Sequence, residues 1–263
     1  MSHVCNFLIS PSVVVYLTGV RQYRSSVAPA VRKKTAELLR GPLRGRSLVW
    51  CPNHLTLIDS YIVAWLALPW WRYVLDYRLV PWNVPEETNF AKNPVMRFFF
   101  EYLNKCIMVR RGGVSKTGER SLRKIELALQ SGDSVCVFPE AGRSRTGRVD
   151  AARRSRVAGR LLLSRPDGAA LLVYARGRGQ ASFTNFPKKG EDFYVDVDYL
   201  TTEELVSGLP PGMPRSAREK EVCAAILRRL EALEEGYFAW LDGGQAAQTP
   251  VRAKESQAFS SDG

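Results

Sequence analysis

Residues 47–59 read SLVWCPNHLTLID, and this stretch decides the fold and the candidate chemistry of the chain. It opens with a short apolar run typical of a buried β-strand, followed by the turn-forming pair Pro52-Asn53. His54 comes next, and Asp59 lies five residues further on. A histidine backed by a carboxylate is suited to act as a general base, although a lone histidine at a strand end can also be purely structural.

The spacing of His54 and Asp59 restricts the local backbone. On a regular α-helix, positions five apart lie about 140° apart around the axis, so their side chains point in different directions. The two side chains can meet only if His54 is still in the turn and the helix begins later. The sequence therefore predicts a strand, a turn and then an apolar helix that starts near residue 60 and ends at Pro69.

Apolar runs and helical patterns alternate through the central part of the chain. Predicted strands at 105–109 and 134–138 enclose an amphipathic helix at 117–130. This order predicts an α/β fold with a mainly parallel or mixed sheet flanked by helices. Ligands bind beyond the carboxyl ends of the strands in such sheets. The candidate site residues after three strand ends are His54 with Asp59, Arg110 with Arg111, and Glu140 with Arg143.

Further elements complete the predicted fold. Helices are expected at 27–40, 89–104, 151–164 and 216–241, and strands at 169–174 and 193–197, the last as an exposed or edge strand. We expect a helical, membrane-proximal segment over 1–44 and a main α/β domain over 45–241. The composition turns polar and small after residue 241, which predicts a disordered tail over 242–263.

The composition favours an anionic partner. The 263-residue chain carries a net charge of +12, and its pI is near 9.7. Nucleic acid, an anionic membrane or an acidic carrier protein would suit this charge. Five widely spaced cysteines and two histidines, without a C-x-x-C pair, argue against a metal site. Cys51, Cys106 and Cys136 lie in or beside apolar runs, which favours buried thiols and a reducing compartment.

Three regions raise the question of membrane contact. Residues 6–20 are apolar but too short and interrupted for a transmembrane helix, so a shallow membrane contact, a strand and a packed segment stay open. Four of the six tryptophans lie within residues 65–82, where core packing and a headgroup position are equally open. Eight arginines between Arg143 and Arg165 suit an anionic leaflet, coenzyme A phosphates or an acidic carrier protein.

Residues 138–144, FPEAGRS, give the chain a family resemblance. With His54 and Asp59 they resemble the glycerolipid (lysophospholipid) acyltransferase family, which includes 1-acylglycerol-3-phosphate acyltransferases. Its members carry H-x4-D, a basic motif at a strand end, F-P-E-G-T-R-S and a V-P-V-like strand, in this order. The resemblance covers about residues 45–180, the core of an acyltransferase domain over 45–241. The departures are Ala141-Gly142 for Gly-Thr, Leu172 for the proline, and Lys105 for the glycine before the basic motif.

The resemblance implies acyl transfer from a thioester to the hydroxyl of a lysophospholipid such as 1-acylglycerol 3-phosphate. His54 would take the proton of the hydroxyl, and Asp59 would fix the imidazole tautomer. Arg143 and Arg111 would hold the phosphate, with Arg110 as the alternative to Arg111 because the register is ambiguous by one. Glu140 would bind a glycerol hydroxyl, position the arginines or pair with Arg143. No protein nucleophile is required, and the chain contains no G-x-S-x-G.

The resemblance also implies the surroundings of the reaction. No bound cofactor is expected, and acyl-CoA or acyl carrier protein would donate the acyl group. The enzyme would take part in phospholipid biosynthesis as a peripheral protein on the cytoplasmic side of an anionic membrane. A nucleic-acid partner is not expected, because the aromatic residues lie in apolar runs and do not alternate with basic residues. The alternatives are a catalytically silent or hydrolytic lipid-binding relative and an acyltransferase acting on an aminolipid or glycolipid.

Overall fold

The structure is a computed structural model that describes residues 2–85, 93, 97–98, 101, 104–109, 116–140, 142–152 and 155–243. Arg110, Arg111 and Ala141 lie outside the described residues, as do most of the predicted helix at 89–104 and nearly all of the predicted tail at 242–263.

The α-helices are α1 (Ser2–Val15), α2 (Ala28–Arg40), α3 (Asp59–Ala67), α4 (Trp70–Leu75), α5 (Lys116–Gln130), α6 (Val157–Leu163), α7 (Thr202–Ser207) and α8 (Arg215–Leu241). A π-helix at Tyr16–Val20 and a 3-10 helix at Tyr77–Leu79 accompany them. The strands are β1 (Ser47–Pro52), β2 (Trp82–Asn83), β3 (Val135–Cys136), β4 (Gly168–Gly177) and β5 (Phe193–Thr201).

The five strands form one mixed sheet in the order β2-β3-β1-β4-β5. β1 runs parallel to β3 and β4, β2 runs parallel to β3, and β5 runs antiparallel to β4. This confirms the predicted α/β fold with a mainly parallel or mixed sheet. Val49 of β1 lies opposite Val135 of β3. The carboxyl ends of β1 and β3 therefore meet at one edge of the sheet, and the residues that follow them are brought together.

Both faces of the sheet are covered by helices, which explains why the central strands are apolar without alternation. Successive side chains of a strand point to opposite faces. Accordingly, Val49 and Cys51 join the hydrophobic cluster that contains side chains of α5, α6 and α8. Leu48 and Trp50 join the cluster that contains side chains of α2 and α3. β1 is buried along its whole length, so the turn after it starts from a fixed point.

The N-terminal region is helical. The structure places α1 and the π-helix over the apolar region, so the predicted alternative of a strand at 6–20 is wrong. α2 matches the predicted helix and packs its buried face on the sheet, where Lys34 forms an ion pair with Asp196 of β5 at 2.8 Å. Among the helices that the structure describes, none is long and apolar enough to cross a bilayer.

Several elements differ from the prediction, among them the strand expected at 134–138, which is regular only over β3. The helix expected at 151–164 is regular only over α6, because residues 151–152 form a turn. The strand expected at 193–197 is longer, and it is an edge strand whose first five residues are buried beneath helices. Residues 105–109 are not a regular strand. They pair with Asn83 through an isolated parallel bridge at Cys106, because β2 itself spans only two residues.

Lys105 explains one departure from the family motif. Its φ of 46° is in the left-handed region that glycine adopts most easily. The side chain is buried, and its ammonium donates to the carbonyl oxygens of Tyr77 (3.0 Å) and Val80 (3.1 Å) and to Asp133 Oδ1 (3.3 Å). These bonds satisfy the buried amine. Lys105 thus fastens the segment before the predicted basic motif, in a backbone conformation that glycine adopts with less strain.

Candidate active site

His54 and Asp59 meet at the carboxyl end of β1. His54 lies in the irregular turn after the strand, and Asp59 is the first residue of α3, so the expected order of strand, turn and helix is confirmed. His54 Nδ1 lies 2.9 Å from Asp59 Oδ2. A carboxylate accepts hydrogen bonds, so the proton of a neutral His54 is assigned to Nδ1. Nε2 has no hydrogen-bond partner in the described part of the chain and is the free basic atom.

Asp59 is held by more than the imidazole. Its Oδ2 accepts the backbone N–H groups of Leu55 (2.6 Å) and Thr56 (2.7 Å), and its Oδ1 accepts the hydroxyl of Thr56. Hydrogen bonds of this kind hold the carboxylate in place beside the imidazole N–H. Thr56 is a site residue that sequence reasoning missed. A threonine three residues before an aspartate at a helix start was its only signal.

Asn53 fixes the turn to the neighbouring strand. Its side-chain nitrogen donates to the carbonyl oxygen of Ala175 (3.0 Å), and its side-chain oxygen accepts from the N–H of the same residue (2.8 Å). The amide thereby copies a strand pairing beyond the end of β1. Sequence reasoning assigned Asn53 only a turn-forming role, because its partner on β4 is 122 residues away.

Phe138 and Ser144 enclose His54 from the other turn, after β3. The ring of Phe138 is stacked on the imidazole with centroids 3.9 Å apart and an interplanar angle of 21°. The backbone N–H of Ser144 donates to the carbonyl oxygen of His54 at 2.9 Å. The two motifs found in the sequence therefore form one contiguous site, with one apolar wall against the imidazole.

Glu140 supports the backbone of His54. Its residue exposure is 2%, and its Oε1 accepts the backbone N–H of His54 at 2.8 Å. Burial raises the pKa of Glu140 to about 8, with the charges of Asp59 and Glu234 adding to the rise and the backbone N–H groups of His54 and Asp150 opposing it. A carboxyl with this pKa is mostly protonated at neutral pH. Oε2 is buried and has no hydrogen-bond partner among the described residues.

Arg143 does not pair with Glu140 within the described structure. Its Nη1 donates to Asn185 Oδ1 (2.9 Å) and weakly to the carbonyl oxygen of Thr184 (3.4 Å). Its guanidinium lies 5.2 Å from the ring centroid of Phe183. The other guanidinium nitrogens have no partner in the described part of the chain. Of the three predicted phosphate-binding arginines, the structure describes Arg143 alone, since Arg110 and Arg111 lie outside the described residues.

The segment that holds Arg143 also borders the turn that carries His54. The N–H of Thr184 donates to the carbonyl oxygen of Leu55 (3.0 Å), and the N–H of Leu57 donates to that of Asn185 (3.2 Å). This third segment of the site was missed by sequence reasoning. Polar residues in a β4–β5 connection gave no signal of contact with a turn more than 120 residues earlier.

A buried polar network supports the segment after Arg143. Arg176 Nη1 donates to the carbonyl oxygen of Gly147 at 2.6 Å, and the N–H of Val149 donates to Glu234 Oε1 at 3.1 Å. The hydroxyl of Tyr174 donates to the same oxygen at 3.1 Å. Burial raises the pKa of Glu234, and the charges of Arg148 and Arg176 oppose the rise. Side chains of β4 and α8 thus fix residues 147–149, four to six positions after the predicted phosphate-binding arginine.

An apolar cavity of about 80 Å³ lies next to the site, between α1 and the α3–α4 region. Ser60 and Tyr61, which directly follow Asp59, belong to its wall, but neither His54 nor Glu140 does. No group of three or more potential metal ligands occurs among the described residues. Burial raises the pKa of the thiols of Cys51 and Cys106, the latter to about 12, so these cysteines are protonated and are poor nucleophiles.

Comparison with known proteins agrees with this geometry. A family model described as Acyltransferase matches residues 23–170, which is more than half of the chain. The match starts before α2, ends inside β4 and contains both turns of the site. A search among curated proteins finds no match. With the family model covering both the His54–Asp59 turn and the turn that carries Glu140 and Arg143, the chain belongs to the acyltransferase family and is an acyl-transferring enzyme.

Proposed function

We propose that the enzyme moves a fatty acyl group from an acyl thioester to the hydroxyl of a lysophospholipid such as 1-acylglycerol 3-phosphate. The observation that carries this proposal is the His54–Asp59 pair, whose Nδ1–Oδ2 distance of 2.9 Å leaves Nε2 as the free base. The His54 side chain keeps 16% exposure, so a hydroxyl can approach it. General bases need this combination of a fixed tautomer and a reachable atom.

The reaction balances with the residues of the site and two substrates. The acceptor oxygen attacks the carbonyl carbon of the thioester while its proton passes to His54 Nε2. The resulting imidazolium is stabilised by Asp59. The carbon–sulfur bond then breaks, and the sulfur takes the proton from the imidazolium. The products are the new oxygen ester and the free thiol, and the histidine returns to its neutral form.

Arg143 supports a phosphate-bearing acceptor. Asn185 engages Nη1 alone, so the other guanidinium nitrogens can donate to a phosphate oxygen. We infer that Arg111, or Arg110, completes the phosphate site, as the family motif implies. We also infer that Glu140 helps to bind the acceptor, either by contacting a glycerol hydroxyl or by positioning Arg143 in the turn that both residues share. It does so in addition to its contact with the backbone of His54.

The positive charge of the chain supports an anionic acyl donor and a reaction at an anionic membrane surface. The net charge of +12 suits the phosphates of acyl-CoA or the acidic surface of acyl carrier protein. It also suits an anionic leaflet, so we infer a peripheral enzyme on the cytoplasmic face of a membrane, acting in phospholipid biosynthesis. No bound cofactor takes part in the proposed reaction.

Replacing His54 gives the direct test. We expect His54→Ala to lower the rate of acyl transfer by about 10³-fold or more, because the hydroxyl proton loses its acceptor. The measurement is thioester consumption and ester formation with labelled acyl-CoA and acyl carrier protein and a panel of lysolipid acceptors. His3→Ala changes the other histidine of the chain and is the matched control.

The same assay separates the alternatives. Equal rates in His54→Ala and wild type would reject the proposed mechanism. Thioester consumption without ester formation would identify a hydrolytic relative, which is the alternative that Ala141-Gly142, in place of the family Gly-Thr, leaves open. Transfer to an aminolipid or glycolipid in preference to lysophospholipids would change the acceptor and retain the chemistry.

A further inference from the structure

The β4–β5 loop, residues 178–192, exposes two phenylalanines beside the active site. Phe183 and Phe186 are 42% and 48% exposed. Two large aromatic side chains exposed to water three positions apart are unusual for a surface connection that serves only to reverse the chain. Thr184 and Asn185, which lie between them, bond to the turn that carries His54. The exposed rings are therefore fixed relative to the catalytic base.

The loop is anchored at both ends, so the exposure of the rings is built into its conformation. At its start, Arg176 Nε donates to the carbonyl oxygen of Gln180 at 2.8 Å. At its end, the N–H of Gly190 donates to the carbonyl oxygen of Arg21 at 2.8 Å. The hydroxyl of Tyr23 donates to the carbonyl oxygen of Pro187 at 3.0 Å. These hydrogen bonds thus fix the loop that carries the two exposed phenylalanines.

Residues 181–190, which carry both rings, are positively charged, and the acidic Glu191 and Asp192 of the loop directly precede β5. Residues 181–190 contain Lys188 and Lys189, both exposed, and no acidic residue. Arg21 lies 5.9 Å from the ring of Phe186, and Arg143 lies 5.2 Å from that of Phe183. Aromatic rings flanked by lysine and arginine match the interface of an anionic bilayer, where rings enter the headgroup level and cations bind phosphate.

The segment that precedes Arg21 also exposes apolar side chains. Arg21 joins the loop to the preceding π-helix, where Tyr16 and Val20 are 42% and 57% exposed. The neighbouring Val15, at the end of α1, is also exposed. Further exposed apolar side chains therefore lie in the segment that leads to Arg21, whose carbonyl oxygen accepts the N–H of Gly190 in the loop.

We propose that the β4–β5 loop is the membrane-docking element of this enzyme, with Phe183 and Phe186 entering an anionic bilayer and Arg21, Lys188 and Lys189 binding its phosphates. The loop would set His54 at the depth of the headgroups, where a lysolipid presents its free hydroxyl. The inference deepens the proposed function and rests on it for the lipid nature of the acceptor. It makes a lipid surface, not a carrier protein, the occupant of this face.

A fluorescent probe tests the docking without measuring activity. Phe186→Cys and Leu127→Cys are each labelled with an environment-sensitive dye, in a chain that also carries Cys5→Ser. Leu127 is 52% exposed on α5 and is the matched apolar control. The other four cysteines are buried. We expect a blue shift at position 186 with phosphatidylcholine vesicles that contain phosphatidylglycerol, a smaller shift with phosphatidylcholine alone, and none at position 127. Equal responses at both positions, or none at 186, would overturn the proposal.

A kinetic experiment separates docking from catalysis. We expect Phe186→Ser combined with Lys188→Ala and Lys189→Ala to lower transfer to a vesicle-embedded lysolipid by about tenfold or more. Transfer to a short-chain, monomeric lysolipid should stay within about twofold of wild type. Loss on both acceptors, or loss only with acyl carrier protein as donor, would overturn the docking role. If wild type transfers no acyl group at all, the proposed function fails, while the vesicle response of the probe still decides the role of the loop.

Discussion

The turns after β1 and β3 each place a carboxyl group beside His54, and the two carboxyl groups differ in the number of hydrogen-bond donors that face them. Asp59 accepts two backbone N–H groups, one hydroxyl and the imidazole N–H. Glu140 accepts the backbone N–H of His54, and its second oxygen is buried without a partner in the described structure. Burial with few donors raises the pKa of the Glu140 carboxyl, whereas the Asp59 carboxyl faces four donors. The turn after β1 therefore holds a carboxyl against the imidazole of His54, and the turn after β3 supports the backbone of His54 with a carboxyl of raised pKa.

The largest effect is expected from replacing Asp59 in the turn after β1. Asp59→Asn removes the charge that stabilises the imidazolium and leaves an amide that cannot accept all the donors now facing the carboxylate. We expect kcat/KM to fall by about 10³-fold, as is typical when the orienting carboxylate of a histidine base is neutralised. Steady-state kinetics give the ratio, and circular dichroism checks the fold.

Asp76→Asn is the matched control for this change, because Asp76 is an exposed cap outside the site. A fall of only a few-fold in Asp59→Asn would show that the carboxylate does not orient the base. An equal fall in both variants would show a general effect on the fold.

The raised pKa of Glu140, in the turn after β3, predicts that the stability of the protein depends on pH. Between pH 4.5, the ordinary pKa of glutamic acid, and about 8, the pKa of Glu140 in the fold, the folded chain retains a proton that the unfolded chain has released. The free energy of unfolding contributed by this group therefore falls as pH rises, by about 1.4 kcal/mol per pH unit inside the window. Above pH 8 both states are ionised, and the loss levels off.

Glu140→Gln isolates this contribution. Glutamine keeps an acceptor for the His54 N–H but cannot ionise. The free energy of unfolding of the variant, relative to wild type, should therefore rise between pH 4.5 and about 8. Urea unfolding of both proteins at a series of pH values measures this difference, because the contributions of the other titrating groups cancel. Parallel curves would show that the Glu140 carboxyl is ionised in the fold.

The smallest expected effects concern the predicted phosphate site. Arg143→Ala should raise the KM for a phosphorylated acceptor by about tenfold or more and change kcat little, because a charge-assisted bond to the substrate is lost. Asn185→Ala should raise the same KM by only about threefold, since it removes the neutral partner that orients Arg143. Arg145→Ala, an exposed neighbour, is the control. An unchanged KM in Arg143→Ala would indicate a structural arginine or a neutral acceptor.

Sequence reasoning located those parts of the fold whose signals are local. β1, α2, α3, α5 and α8 each have their own apolar periodicity or continuous apolar run, and each lies where it was predicted. β2 escaped notice because two residues carry no periodicity. Residues 105–109 resemble a strand in composition, but the short β2 leaves them only an isolated bridge. Regular strand structure depends on a partner, and the partner is not encoded in the strand itself.

The candidate site divides in the same way. His54, Asp59, Glu140 and Arg143 were found from residue type and spacing. Their supports were not found, because Asn53, Thr56 and Asn185 act through partners whose positions depend on the folded chain. Glu140 shows the limit most clearly. The sequence suggested contacts with substrate or with arginines, whereas the observed contact is the backbone of His54, 86 residues earlier.

The sequence by itself determined the fold class, the pairing of His54 with Asp59 and the family of this enzyme, because strands, turns and short motifs depend on neighbouring residues. The tertiary structure decided which carboxyl group is kept neutral, which side chains hold Arg143, and that the β4–β5 loop exposes its phenylalanines beside His54. Burial, pKa and surface exposure depend on atoms brought together from distant parts of the chain. They are therefore fixed only when β1, β3 and β4 lie side by side in the sheet.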